Sequence, residues 1–307
     1  MAIQKHSYVL TKDFILCCLS EDNQYFYGEI LYGKKPLKDV KVVYILGEKY
    51  YKYWELESMR RKHSTTVGKK TNYNKYIEST KKLYPKNYYF HKIIGKLFRI
   101  SKEKIIKIIV PKKYNELNRD KKRIANILSL KFSVSHNCIL VGGSKLFSKK
   151  TNFSDFDIII NGKKEGMKVS KSITKLIKNE ENRLEIGTKK YHPRRFRIKN
   201  AIICPFAINS KDNYFETTKA KVIEKPKEVI AKVIDCSDSL FSPAVYKIKN
   251  EKNKVYLISY FVGHNHLFNK NDIIKFKAPL YEFKREKIKK RAYVIPIQGS
   301  WVEINRK

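Results

Sequence analysis

Apolar and polar positions alternate with period two over residues 15–19, 25–31 and 40–46, which predicts strands. Ser20-Glu21-Asp22-Asn23 and Gly33-Lys34-Lys35-Pro36 separate them as turns. Residues 58–87 are basic, polar and Tyr-rich, with a short helix expected over 75–83. Residues 101–109 read as a strand or a short capped helix, ended by Pro111. Across 114–130, Leu117, Ile124, Ile127 and Leu128 recur at helical spacing. A short apolar run at 137–141 predicts a buried strand that opens into Gly142-Gly143-Ser144. A short helix over 145–149 and a polar loop then lead to a second strand, Ser154-Asp155-Phe156-Asp157-Ile158-Ile159-Ile160. Val169, Ile173, Leu176 and Ile177 mark one face of a helix over 167–181. Residues 195–198 and 201–208 read as a hairpin turning at Lys199-Asn200. Beyond 232 the β alternation returns at 244–248, 255–262, 273–276, 281–283 and 292–297.

This pattern predicts an α+β chain with boundaries near 112 and 230, the second marked by Glu224-Lys225-Pro226-Lys227. A β-rich N-terminal domain spans 1–111, a mixed sheet with flanking helices spans 112–230, and a small OB-like β-barrel spans 231–307. No internal repeat is evident.

Charge changes the picture more than composition does. Lys and Arg number 67 against 29 Asp and Glu, a formal net charge of +38 in 307 residues. A compact body with that imbalance repels itself unless polyanions or counterions offset it. Nucleic acid is the expected polyanion; abundant Lys and Ile also fit an AT-rich or thermophilic coding bias. No stretch reaches the ~18 apolar residues of a membrane span, so no membrane partner is expected. The run Phe14-Ile15-Leu16-Cys17-Cys18-Leu19 is too short for a secretory signal. Five scattered cysteines without a CxxC read as reduced thiols in a cytoplasmic protein without structural zinc.

The chemistry concentrates at Val141-Gly142-Gly143-Ser144 and, ten residues on, Asp155-Phe156-Asp157. Positions i and i+2 of a strand share a face, so Asp155 and Asp157 present two carboxylates side by side. Two such anions call for a cation between them, and Mg²⁺ takes carboxylate and phosphate oxygens. The glycines offer backbone N–H groups with no Cβ in the way, beside the start of a short helix. Phosphates held there would meet metal held by the aspartates, the layout of two-metal nucleotidyl transfer.

The string VGGSKLFSKKTNFSDFDIII resembles the signature of the DNA polymerase beta-like nucleotidyltransferase superfamily: a strand, Gly-Gly-Ser, a short helix, then Asp-x-Asp. The whole layout is also similar to archaeal nucleotidyltransferase-domain proteins. The resemblance implies a nucleotidyltransferase-type sheet, Mg²⁺ or Mn²⁺ held by Asp155 and Asp157, and a nucleoside triphosphate held by Gly142, Gly143 and Ser144. It implies transfer of a nucleotide from an NTP or dNTP to a hydroxyl of DNA or RNA. Members that catalyse usually add a third carboxylate on a later strand, and Ala201-Ile202-Ile203-Cys204-Pro205-Phe206-Ala207-Ile208 contains none. Glu185 and Asp212 are the nearby acids. A non-catalytic nucleic-acid-binding protein on the same fold is therefore the rival reading.

Tyr191-His192-Pro193-Arg194-Arg195-Phe196-Arg197 is basic with interleaved aromatics. Arg194, Arg195 and Arg197 are expected to meet a nucleic-acid backbone and Tyr191 to stack on a base. Lys149 and Lys150, in the loop above the aspartates, are expected to contact primer or triphosphate. Residues 58–75 form a similar patch. His264 and His266 lack a third ligand and read as a surface turn.

Overall fold

The computed structural model describes residues 5–38, 40–53, 66–67, 73–147, 155–185, 191–209, 219–251, 253–285, 287–296 and 302–305. It is an α+β chain, mostly strand, with three α-helices and a closed five-stranded barrel among the described residues. Strands β1 (Tyr8–Leu10), β2 (Phe14–Glu21), β3 (Tyr25–Gly33), β4 (Val42–Ile45) and β5 (Glu48–Lys52) open the chain. There follow β6 (Thr66–Val67), helix α1 (Tyr73–Leu83), β7 (Tyr88–His91), β8 (Gly95–Ser101) and β9 (Lys107–Ile109). All but β6 form one sheet along the path β4-β5-β3-β2-β1-β9, with β8 and β7 branching from β3. Its core joins Val9, Leu16, Ile30 and Phe98 to Tyr76 and Ile77 of α1. The stretch read as strand or capped helix at 101–109 divides between the end of β8, a 3₁₀ turn and β9.

The central unit comprises α2 (Arg119–Phe132), β10 (Ile139–Val141), β11 (Phe156–Asn161), α3 (Lys163–Leu176), β12 (Arg183–Glu185), β13 (Tyr191–Ile198) and β14 (Ala201–Ile208). Helix α2 starts later than its apolar spacing predicts. The Asn118 side chain accepts the Lys121 backbone N–H and caps it there. Of the helix predicted over 145–149, the described residues contribute a 3₁₀ turn, Gly143–Leu146, and 148 and 149 lie outside them. The five-stranded sheet runs β10-β11-β14-β13-β12, with β11 antiparallel to β10 and parallel to β14. Strand alternation divides β11 between two environments. Phe156, Ile158 and Ile160 pack with Val169 and Ile173 of α3 and with Leu128 and Phe132 of α2. Asp157 and Ile159 face the other way, where Leu140, Ile159 and Ile208 form a small apolar cluster.

The N-terminal sheet covers that second face. Phe147, just past the glycine turn, lies edge-on to Tyr8 at 5.0 Å and to Tyr32 at 5.9 Å.

Strands β15 (Lys219–Asp235), β16 (Ala244–Lys249), β17 (Lys254–Ser259), β18 (Ile273–Arg285), β19 (Ile288–Ile295) and β20 (Val302–Asn305) follow. The first five close into a ring ordered β15-β16-β17-β19-β18, with β15 pairing again to β18. β17 and β19 run parallel and the other ring pairs antiparallel. β20 and β6 extend the ring sheet, so a piece of the first 111 residues joins it. β15 also runs across residue 230, because Pro226 sits where the register slips between Glu224 and Lys227 and removes no needed ladder donor. Runs read as separate at 273–276 and 281–283 are the two halves of β18.

His264 and His266 are buried, contrary to the surface turn read from their spacing. His264 Nδ1 lies 2.8 Å from Ser259 Oγ. His266 reaches Ser170 Oγ at 3.2 Å and Thr174 Oγ1 at 3.1 Å on α3, and Ser239 Oγ at 3.2 Å. It ties the barrel to the central unit, and burial lowers its pKa to about 4. No described helix is long and apolar enough to cross a membrane.

Candidate functional site

β10 delivers the chain into the glycine turn while β11 returns beside it, so turn and aspartates meet. The Gly142 N–H donates to the backbone oxygen of Asp157 at 2.9 Å. Gly143 has φ +63°, the left-handed region that favours glycine. A Cβ on Gly143 would lie 1.8 Å from Asp157 Oδ2. The absent side chain is therefore the space the carboxylate uses. Ser144 belongs to the same 3₁₀ turn and is partly exposed. Lys145 is buried at 1% exposure, and its backbone oxygen accepts the Lys121 ammonium at 2.8 Å.

Asp155, one residue before β11, lies close enough to raise the pKa of Asp157, but it already has a cation. Arg195 Nη1 lies 2.9 Å from Asp155 Oδ2, with both side chains partly exposed. Arg194 is buried, its guanidinium 4.2 Å over the Phe206 ring, and its Nε and Nη1 have no hydrogen-bond partner among the described residues. Both arginines follow a turn at His192, whose Nδ1 accepts the backbone N–H of Arg194 at 3.1 Å and of Arg195 at 3.0 Å. Arg197 is exposed on the same strand. Tyr191 lies in β13, with no description of its side chain, and Lys149 and Lys150 lie outside the described residues.

Burial raises the pKa of Asp157 to about 6; repulsion from Asp155 adds to it, and Arg195 and Arg194 oppose it. Tyr8 and Cys17 of the N-terminal sheet are its electrostatic neighbours. Paired in register between β1 and β2, they lie close enough for Asp157 to push both their pKa values up beyond the effect of burial.

On β14 the residue in register with Asp157 is Cys204, which is buried. Its thiol sits against Asp157 and Arg195, and burial raises its pKa. β14 is the strand beside the aspartates where a third carboxylate is expected. Of the other acids considered, Glu185 lies on β12, two strands further away, and Asp212 lies outside the described residues.

The donor set fits Mg²⁺ or Mn²⁺ poorly. Such ions take several oxygen ligands, and here one carboxylate is paired to arginine, one is drawn toward its neutral form, and the third position holds a thiol. No group of three or more His, Cys, Asp or Glu able to hold a metal occurs among the described residues. Sequence reasoning missed Lys145, Cys204 and the covering pair Tyr8 and Cys17. Only Cys204 left a signal, as the one titratable residue in an apolar strand. No family model, curated protein or solved structure matches the chain.

Proposed function

We propose that this chain is a nucleic-acid-binding protein built on a nucleotidyltransferase-type fold, whose aspartate site no longer supports metal-dependent transfer. The observation that carries this reading is Cys204 in register with Asp157. A thiol raised by burial supplies neither a hard oxygen ligand nor a base for an attacking hydroxyl. The charge of +38 supports a polyanionic partner. So does a cross-strand pair on the barrel, Lys249 opposite Lys254, both exposed. Like charges set directly opposite one another destabilise a sheet unless something neutralises them. The ring order, with its third and fifth strands parallel, supports an OB-type barrel, a fold that often binds single strands.

One observation favours the second reading, a Mg²⁺-dependent nucleotidyltransferase acting on DNA or RNA. The glycine turn and Asp157 touch, as a phosphate-and-metal site would need. Incubation with labelled NTPs and dNTPs, DNA and RNA oligomers, and Mg²⁺ or Mn²⁺ separates the two. Salt-sensitive binding without incorporation supports the first reading; incorporation that is lost in Asp157→Asn overturns it.

A further inference from the structure

We propose that the Arg195 guanidinium stands in for the divalent cation at this site, so that phosphate groups bind at the glycine turn without metal. The inference rests on the non-catalytic reading above and deepens it by naming a ligand, a phosphate ester, and its mode of binding.

The argument begins with charge balance. Two facing carboxylates need about two positive charges, which one divalent ion would supply. Here Arg195 and Arg194 supply one each, the first through a 2.9 Å ion pair and the second as a buried cation that opposes the raised pKa of Asp157. A divalent ion added to this set would face two cations already in place. It would also have to share Asp155 with Arg195, whose guanidinium already holds Oδ2. Cys204 offers no hard ligand in compensation.

The same balance draws in an anion. Lys145 is buried in the turn within electrostatic reach of both aspartates, which makes three cations against two acids. Arg194 retains two N–H groups with no partner among the described residues, a state that buried polar groups rarely keep. Arg195 is 38% exposed, so part of its fork faces outward, and guanidinium suits a phosphate as well as a carboxylate. The Asp157 carboxylate fills the space beside Gly143, so a phosphate meets the turn at its partly exposed residue, Ser144.

The test is calorimetric titration of the full chain with a nucleoside triphosphate, in EDTA and in excess Mg²⁺. A parallel arm uses one oligonucleotide with and without a 5′-phosphate, which distinguishes a free nucleotide from a nucleic-acid end as the phosphate's source. Wild type should bind the better of these two ligands equally, within about twofold, with or without metal. Arg195→Gln should lose about tenfold in EDTA and recover it in Mg²⁺, because the freed aspartates now accept the ion. Mn²⁺ binding followed by electron paramagnetic resonance should be absent in wild type and present in Arg195→Gln. Phosphate binding by wild type that requires metal, Mn²⁺ held by wild type through Asp157, or no phosphate preference in either arm overturns the proposal. Should Arg195→Gln fail to fold, the wild-type metal comparison decides alone. Binding of unphosphorylated duplex tests the nucleic-acid reading separately, so either idea can fail without the other.

Discussion

Arg195 holds Asp155 at 2.9 Å, while two residues along, Asp157 faces a thiol, Cys204, on the neighbouring parallel strand. The two relationships describe one site. A motif that in sequence calls for metal meets an arginine and a thiol from two strands it does not include.

If Cys204 stands where a third acid would complete a metal centre, supplying the acid should rebuild one. Cys204→Asp alone buries a carboxyl opposite Asp157 and should cost roughly 2–4 kcal/mol, as unpaired buried ionisable groups do. Combined with Arg195→Gln, it should bind Mn²⁺ more tightly than Arg195→Gln does by itself. At about 100 times its Kd, metal should then raise the double variant's stability by about 2.7 kcal/mol. Thermal melts with and without Mn²⁺ check this; no metal-dependent shift in the double variant would contradict the placement of Cys204.

Gly143 should tolerate no side chain. Gly143→Ala must adopt φ +63° and place Cβ 1.8 Å from Asp157 Oδ2. The left-handed backbone costs about 1–2 kcal/mol, and the clash adds to it. From sequence, a residue larger than glycine here threatens only the approach of a phosphate. In the structure it displaces the aspartate. Asp157→Gly should therefore recover part of the loss in a double-mutant cycle read by urea denaturation.

Asp157 also predicts a pH dependence. Its pKa is about 6 in the folded chain against an ordinary carboxylate value of 3.8, so the folded state holds the proton more tightly. That contribution to stability is complete below about pH 4 and is lost as pH rises through 6. Two pK units correspond to about 3 kcal/mol. Asp157→Asn cannot ionise, so its stability relative to wild type should rise by up to about 3 kcal/mol between pH 4 and 7. Denaturant melts across that range measure the difference; a flat difference would mean that Asp157 is ionised at normal cost.

The parts of this molecule visible in sequence are those that local periodicity encodes. The β11 strand, the turn residues 142–144 and the hairpin of β13 and β14 lie close to where alternation and glycine put them. The two-residue spacing of Asp155 and Asp157 keeps them close enough for Asp155 to raise the pKa of Asp157. The partners of those acids were not legible, because each comes from a distant segment. Local pattern does not decide whether Arg195, which follows the turn that His192 makes with its own ring nitrogen, points at solvent or at Asp155. Asp157 in turn pushes up the pKa values of Tyr8 and Cys17, about 140 residues earlier and placed only by packing of one sheet on another. His264 and His266 mislead for the same reason: two residues apart they resemble an exposed turn, and only the docking of α3 makes them a buried clamp.

The final expectation concerns where polyanions touch. Read from sequence, Arg194, Arg195 and Arg197 form one phosphate-contacting cluster, but the structure divides them. Arg194 is buried against Phe206, Arg195 is partly exposed but paired to Asp155, and Arg197 is exposed. Arg197→Ala should therefore remove at most one contact, flattening the log–log salt dependence of binding by about 0.7–0.9. Against an oligonucleotide without a 5′-phosphate, Arg194→Ala should leave that slope alone and lower stability instead. The barrel pair Lys249 and Lys254 makes the sharper case, because the two ammonium groups oppose each other across β16 and β17. If they serve a nucleic acid, replacing both with Gln should flatten the slope by about 1.4–1.8, two contacts' worth. It should also stabilise the free protein by a few tenths of a kcal/mol, since the repulsion goes with them. Opposite signs for stability and binding are what a functional charge pair predicts. A surface that is lysine-rich through coding bias alone predicts the gain in stability with an unchanged slope, and titrations against one oligonucleotide at several salt concentrations distinguish the two.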